Sequence, residues 1–275
     1  MSLLRWRPLT GAGRALLRVV LPAVLAAGSA AFSVADAQVA TYVPPRTIDG
    51  IPDLQGVWQA MGAAHVNILA HPASSDGPGG PSVVVGGVLP YQDWAVKRQQ
   101  ENYANRLTRD GERQCHLSGV PRATYLPHPF RIVQTPGITV MMYEYAHMTR
   151  RIYTNKTPHQ PEVQFYLGDS RGRYEGNTLV VDVKAFNGET WFDRAGNFHS
   201  DALEVEERYT RIGRDHMRYE ATITDPKVFT RPWKLQLTLY RNVDPHAEIL
   251  DYQCYAFEDR TPGLTVPLSR QSPLP

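Results

Sequence analysis

Cysteine and long uncharged segments are both scarce in this chain. Its 275 residues include two cysteines, and the longest uncharged run near the start, Val19–Ala35, covers 17 residues. Two cysteines far apart in sequence exclude a disulfide-rich miniprotein and a zinc-finger type of site. The uncharged run contains Pro22 and Gly28 and is short for a permanent membrane span. We therefore expect no stable membrane span in the mature protein.

Glycine-rich phosphate loops, dinucleotide-binding fingerprints and long basic clusters are also missing. No basic cluster exceeds two consecutive residues. The sequence therefore predicts no nucleotide cofactor and no nucleic-acid partner. With 42% hydrophobic and 20% charged residues, the chain is long enough and apolar enough to fold around a substantial core.

The N-terminus has the pattern of a secretory signal peptide. Arg5, Arg7, Arg14 and Arg18 are its basic residues, and Ala35-Asp36-Ala37 has the small-x-small form of a cleavage site before Gln38. We predict a signal peptide over residues 1–37, a single domain over residues 38–275, and a periplasmic or secreted location.

The charge balance changes when that signal is removed. The whole chain has 29 basic and 27 acidic residues, and the signal takes away four Arg and one Asp, leaving 25 and 26. The mature charge of −1 gives no reason to expect a polyanionic partner. A small-molecule ligand or substrate is the expected partner.

The cysteine pair has three interpretations. In an oxidising compartment, Cys115 and Cys254 are most simply joined in one disulfide. A metal site formed by Cys115 and the adjacent His116 and a pair of buried free thiols are the alternatives.

Two early segments differ from the rest of the mature chain. Residues 71–90 are rich in Gly, Pro and Ser and predict an extended loop. Residues 90–110 predict the one helix, which begins near Pro90 and ends before Gly111.

From Phe130 onward, hydrophobic residues alternate with polar ones. This period of two is typical of half-buried antiparallel strands, and short turns such as Glu175-Gly176-Asn177 join them. We predict a mainly β fold, in which a single antiparallel meander closes into a lipocalin-like barrel with one N-terminal helix; a two-sheet sandwich is the alternative. The roughly eight to ten predicted strands lie near residues 53–59, 130–135, 138–145, 150–154, 171–175, 178–186, 203–211, 216–224, 233–241 and 249–257.

Two long motifs in the second half add a resemblance. They are SRGRYEGNTLVV over residues 170–181, and DRAGNFHSDAL over residues 193–203 followed by Glu207-Arg208. They resemble a group of exported bacterial proteins with the pattern SxGRWEGDTLVV … DRAGxPHSDAL…ER, and the resemblance spans roughly residues 50–258. That group implies no particular activity. A more distant similarity to lipocalin-like barrels rests on the meander and on Gly56-Val57-Trp58.

Glu207 is the first candidate for chemistry. It shares a strand face with Leu203, Val205 and Tyr209, so it is predicted to point into the barrel. A carboxylate among apolar side chains costs free energy unless it is paired or neutralised, which suits it to proton transfer. The alternative is a structural ion pair with Arg150, Arg151 or Arg173.

The loop over residues 191–201 is the second candidate. In it, Asp193 is predicted to orient His199 as a general base, and Trp191 to contact the substrate. The alternative is that Asp193 and Ser200 cap turns while His199 packs as a linker residue.

A third group contains the predicted binding residues. Tyr143, Tyr145 and His147 share one face of a predicted strand over residues 139–147, and Arg151 follows at the strand turn, so a guanidinium and an aromatic ring can meet there. With His159 and Trp191, they form the predicted substrate-binding set. The alternative is a surface histidine at a turn with solvated arginines.

These residues predict an exported small-molecule enzyme. Catalytic His199, Asp193 and Glu207 would carry out lyase, isomerase or hydrolase chemistry without a cofactor, on a partly aromatic or carboxylated substrate. The first alternative is a binding or carrier barrel without chemistry. The second is an enzyme that depends on one divalent metal ion, held by His147, His159, His199 and Glu207.

Overall fold

Nine strands form a closed barrel in the computed structural model, which describes residues 42–160 and 162–252. Each strand pairs with the next in the chain, and the ninth pairs with the first. This confirms the predicted mainly β barrel and excludes the two-sheet sandwich. The strands are β1 (Gly56–Ala60), β2 (Phe130–Thr135), β3 (Ile138–Tyr143), β4 (Thr149–Tyr153), β5 (Asp169–Glu175), β6 (Thr178–Lys184), β7 (Glu204–Arg211), β8 (His216–Thr224) and β9 (Trp233–Arg241).

Tight turns set the register of the hairpins. Glu175 pairs with Thr178, so Gly176 and Asn177 alone connect β5 to β6, and Gly176 has φ 59°. Residues with positive φ in two-residue loops match the right-handed twist of the strands, which explains a glycine at this position. The predicted turn sequence therefore lies where the hairpin needs it.

One pair departs from the predicted antiparallel meander. β4 and β5 run parallel, and their register contains only Ile152 opposite Ser170 and Tyr153 opposite Arg171. A parallel pair needs a long crossover connection, and residues 154–168 provide it. The predicted, predominantly antiparallel barrel therefore contains one parallel pair, which the alternation alone does not reveal because it is the same in parallel and antiparallel strands.

The alternation separates the barrel interior from its outer surface. In β7, Val205, Glu207 and Tyr209 are buried, while Glu204 and its alternate neighbours face outward. The interior is filled by large side chains from all sides, including Trp58, Phe130, Ile132, Met141, Tyr143, Ile152, Leu179, Met217, Tyr219, Ile223 and Leu239.

The segment before β2 lies against the barrel. The part predicted as one helix over residues 90–110 contains α1 (Asp93–Ala104) and α2 (Arg106–Arg109), and a 3-10 turn over Gly111–Gln114 follows. α3 (Arg122–Tyr125) is short and completely buried. The predicted loop over residues 71–90 is attached to β9, since the Val85 amide donates to the Lys234 carbonyl.

Some predictions fall outside the described residues. They are the signal peptide over residues 1–37, Cys254, and most of the tenth strand over residues 249–257. Residues 249–252 of that strand are described, and among them Tyr252 forms an isolated bridge with Tyr145.

Candidate functional site

Glu207 lies inside the barrel with no exposed surface. Arg150 from β4 donates to its Oε2, and the hydroxyls of Tyr209 and Tyr219 donate to its Oε1 at 2.9 and 2.7 Å. Arg150 also donates from Nε to Ser170 Oγ at 2.9 Å. Of the alternatives weighed for Glu207, the structure shows the internal ion pair, and the partner is Arg150.

The surroundings of this ion pair hold the tyrosines in the neutral form. Burial, and then the charge of Glu207, raise the pKa of Tyr209 and of Tyr219. Both phenols therefore remain hydrogen-bond donors to the carboxylate. Because Arg150 and Glu207 are both shielded from solvent, we interpret the ion pair as a structural part of the core.

Asp193 is fully buried, but His199 is not its partner. Its Oδ2 accepts from the Ile68 amide at 2.9 Å and from the Asn197 side chain at 2.6 Å, and its Oδ1 accepts from the Asn197 amide at 3.1 Å. Burial raises its pKa to about 6. Asp193 thus fastens the loop over residues 191–198 to the segment around Ile68.

His199 has a separate set of contacts. Its Nδ1 lies 2.8 Å from the Ser200 carbonyl, which can only accept, so Nδ1 carries the proton. Its Nε2 lies 2.7 Å from Thr190 Oγ1 and accepts from that hydroxyl. Burial lowers the pKa of His199, and its ring packs against Phe186 and Phe192.

The predicted orienting pair of Asp193 and His199 is therefore wrong. Within the described part of the chain, no hydrogen bond joins Asp193, His199 and Glu207 to one another, because each already has short-range partners of its own. The loop serves to cap turns and to pack, as the alternative held: Asp193 Oδ1 accepts from the Asn197 amide, and Ser200 Oγ accepts from the Ala202 amide at 3.0 Å.

The alternative metal set is not assembled either. His147 contacts Asp251, His159 contacts Asp169, and His199 and Glu207 have the partners given above. Over residues 42–160 and 162–252, no three His, Cys, Asp or Glu side chains are grouped so as to hold a metal ion. Three of the four ligands lie on separate loops, and the fourth is enclosed in the barrel.

Tyr145 and His147 do not continue β3 as predicted. The strand ends at Tyr143, and the turn that follows has positive φ at Ala146 and at His147. Tyr145 is buried and donates to the Glu112 carbonyl at 2.8 Å, whereas the His147 side chain is half exposed. Trp191 forms a bridge with Phe198 in the loop.

Arg151 lies in a cleft beside the parallel pair, which we call the seam cleft. It has a volume of about 400 Å³. Strands β4 and β5 form one wall, and the connection between them forms the other. The lining residues are Leu117, Thr149, Arg150, Arg151, Tyr153, Gln160, Phe165, Leu167, Gly168, Asp169, Ser170 and Arg171.

Charges in the seam cleft are paired with one exception. Asp169 accepts from Arg171 at 2.6 Å and contacts His159 Nδ1 at 3.0 Å. Arg150 is neutralised by Glu207, although its Nη1 is buried without a hydrogen-bond partner. The Arg151 guanidinium, in contrast, has no hydrogen bond and no ion pair to any described residue. The cleft therefore carries one uncompensated positive charge.

Sequence reasoning missed a buried ionic cluster next to α3. Arg122 donates to both oxygens of Asp110, at 2.7 and 2.8 Å, and to Glu112. Arg194 also donates to Glu112, and Arg106 contacts Asp76 at 2.8 Å. Burial alone would raise the pKa of Glu112, but Arg122 and Arg194 lower it to about 2.

His65 completes this cluster. It is 5% exposed, and its Nδ1 has no hydrogen-bond partner. Burial, followed by the charge of Arg194, lowers its pKa to about 4. Arg194 lies in the DRAG motif, and Arg106 and Asp110 lie in the predicted helix over residues 90–110. The other members lie in segments with no periodicity, so nothing local indicated that they meet.

Comparison with known proteins adds no family. A scan against protein-family models and a search of curated proteins find no match to the chain. Among the described residues, no helix is long and apolar enough to cross a membrane.

Proposed function

We propose that the protein is a small-molecule-binding barrel without catalytic chemistry. Its ligand has one carboxylate and an apolar, partly aromatic body, and the site is the seam cleft. The observation that carries the proposal is the unpaired guanidinium of Arg151 in a cleft whose other charges are neutralised.

The lining of the cleft suits such a ligand. Arg presents a planar fork of donors that matches a carboxylate, and it keeps its charge at any physiological pH. Tyr153, Phe165 and Leu167 offer apolar surface for the ligand body. A volume of about 400 Å³ lies within the usual range for small-molecule sites. The charge selects an anion, and the walls favour one with a hydrophobic part.

An acid/base enzyme is supported less well. Its predicted catalytic groups, His199, Asp193 and Glu207, are each buried and each engaged elsewhere. A general base must come within hydrogen-bond reach of the proton that it removes. A substrate would have to open the core to reach Glu207, so we favour the carrier over the enzyme.

Calorimetry with benzoate, phenylacetate and the uncharged benzyl alcohol tests the site. We expect the two carboxylates to bind and the alcohol to bind much more weakly. Arg151→Gln should weaken carboxylate binding roughly tenfold, because a charge-assisted hydrogen bond is lost.

Arg218→Gln is the matched control, since Arg218 is an exposed arginine on the outer face of β8 and does not line the seam cleft. Equal affinity in Arg151→Gln and the wild type would refute the proposal. Native mass spectrometry of the purified protein is a second test. We expect it to detect a co-purified small molecule that is chemically unchanged.

Export and kinship are further parts of the proposal. The basic residues and the Ala35-Asp36-Ala37 site support cleavage before Gln38 and a periplasmic or secreted location. The two long motifs support membership of the exported bacterial group that they resemble. An oxidising compartment in turn supports a disulfide between Cys115 and Cys254.

A further inference from the structure

A second cleft lies where β1 begins and β9 ends, beside the turn between β7 and β8. We call it the arginine cleft. It has a volume of about 300 Å³, and three guanidinium groups line it, those of Arg131, Arg214 and Arg241. The lining also includes Gly56, Asp215 and Asp244.

The arginines of this cleft are poorly neutralised. Arg131 donates to the Ala247 carbonyl at 2.6 Å, and Arg214 is 3.9 Å from Asp215 while being 88% exposed. The Arg241 guanidinium has no hydrogen bond or ion pair to any residue that the structure describes. Asp244 uses Oδ1 to accept from the His246 amide within its own loop. Among the described residues, the one ion pair of these three arginines is therefore the 3.9 Å contact between the exposed Arg214 and Asp215.

Arg211 does not line the cleft, but it adds a buried charge next to the β7–β8 turn. It is 3% exposed, and its partners are the carbonyls of Asp53 and Arg214 and the hydroxyl of Tyr42, all of them neutral. Its Nε is buried without a partner. A buried charge is screened less by salt than an exposed one. Among the residues that line the cleft, three guanidiniums stand against the two carboxylates of Asp215 and Asp244.

Gly56 explains how Arg241 is held. A Cβ at this position would lie 2.9 Å from Arg241 Nε, and the backbone there has φ +130°, which side chains rarely adopt. The glycine thus lets the guanidinium lie directly over the start of β1. Because the Arg241 amide also donates to the Asp215 carbonyl at 3.0 Å, the end of β9 is fixed against the neighbouring turn.

We propose that the arginine cleft binds a tetrahedral oxyanion, phosphate or sulfate, free or as the terminal group of a larger molecule. Guanidiniums on β2, on β9 and in the β7–β8 turn approach the cleft from three elements, which suits an anion that accepts hydrogen bonds in several directions. This site is separate in position and in ligand chemistry from the seam cleft.

Calorimetry of the purified protein with inorganic phosphate and with sulfate at low ionic strength tests the proposal. We expect saturable binding that weakens as salt is added. Arg241→Gln should weaken phosphate binding about tenfold, and Arg131→Gln and Arg214→Gln should each weaken it several-fold. Arg214 is almost fully exposed, so its variant remains informative if another fails to fold.

Two control variants separate binding in this cleft from non-specific attraction to surface charge and from binding in the seam cleft. Arg218→Gln should bind phosphate like the wild type, which excludes a general effect of surface charge. Arg151→Gln should also leave phosphate binding unchanged. The experiment therefore distinguishes failure of the proposed carboxylate site from failure of the proposed phosphate site. Wild-type affinity in both Arg241→Gln and Arg214→Gln, or no saturable binding by the wild type, would overturn the proposal.

Sedimentation with vesicles that contain phosphatidic acid, whose phosphate is a terminal monoester, identifies the source of the anion. Co-sedimentation that Arg241→Gln abolishes, in a protein that also binds inorganic phosphate, assigns the lipid headgroup. Phosphate binding without co-sedimentation assigns a soluble anion.

Discussion

Glu207 and Arg150 depend on each other because both are enclosed in the barrel. Replacing Glu207 with Gln keeps the shape of the side chain but leaves the Arg150 charge without its counter-ion. Removing one partner of a buried pair typically costs about 3–5 kcal/mol. We therefore expect Glu207→Gln to lower the free energy of unfolding by an amount of that order, measured by chemical denaturation.

Glu204→Gln is the matched control for this prediction. Glu204 lies on the outer face of the same strand and pairs with Lys184 at 2.8 Å, with both side chains about half exposed. Exposed pairs contribute less than about 1 kcal/mol, so this variant should be nearly neutral. Similar losses in the two variants would contradict the structural role of the buried pair.

His65 and Asp193 make the stability respond to pH in opposite directions. The pKa of His65 falls from 6.5 to about 4 on folding, so the native state binds fewer protons between those values and loses stability as the pH falls through them. The pKa of Asp193 rises from 3.8 to about 6, so the native state gains stability as the pH falls through that range. The two effects partly cancel in the wild type.

A variant without the imidazole should separate them. We expect the free energy of unfolding of His65→Phe, relative to that of the wild type, to increase by on the order of 2 kcal/mol between pH 7 and pH 4. Denaturant titrations of both proteins across this range provide the measurement. Parallel curves would show that His65 does not have a lowered pKa in the native state.

At the scale of the strands, the number of paired residues between neighbours varies around the barrel. β7 and β8 share eight register pairs, whereas β4 and β5 share two. Fewer ladder hydrogen bonds should permit local opening at a lower free energy. We expect amide hydrogens of β4 and β5 at this seam to exchange faster than those of β7 and β8, as measured by hydrogen exchange with mass spectrometry.

Binding in the seam cleft adds a second readout to that experiment. A carboxylate that bridges the two walls should slow exchange in β4 and β5 and leave β7 and β8 unchanged. Equal protection of both regions in the free protein would contradict the seam as the weakest part of the wall.

Strand positions could be predicted from sequence, while most tertiary partners could not. The alternation in β7 is local, and it was enough to place Glu207 on the inner face. Its partner Arg150 is 57 residues away along the chain. The alternation on β4 places Arg150 on the inner face but does not determine which strand faces β4 across the barrel. Of the predicted binding residues, Arg151 alone lines the seam cleft, and the sequence does not predict the cleft itself because its other wall is an aperiodic connection.

The ionic cluster shows the same limit. Residues between 65 and 194 converge on Glu112, and they come from loops, a 3-10 turn and a four-residue helix. Such segments have no period from which a buried face can be read. Arg122 is an extreme case, since an arginine in a short helical turn would ordinarily be assigned to the surface.

For the whole molecule, export predicts that the mature protein lacks the signal peptide and contains one disulfide. We expect protein recovered from the periplasm to begin at Gln38 and to contain no reactive thiol. Its intact mass should be lower by two hydrogens before reduction than after it. A free thiol in the native protein would refute the proposed disulfide, and Cys254→Ser should expose one at Cys115.

Strand count and strand direction are linked by parity in this molecule. Around a closed ring of neighbours, directions can alternate without a break only if their number is even. The ring here has nine members, so at least one adjacent pair must run the same way, and that pair is β4 and β5. The crossover that such a pair needs is also the outer wall of the seam cleft. A related barrel with an even number of strands would need neither the parallel pair nor the crossover. We would therefore expect it to lack the cleft as well.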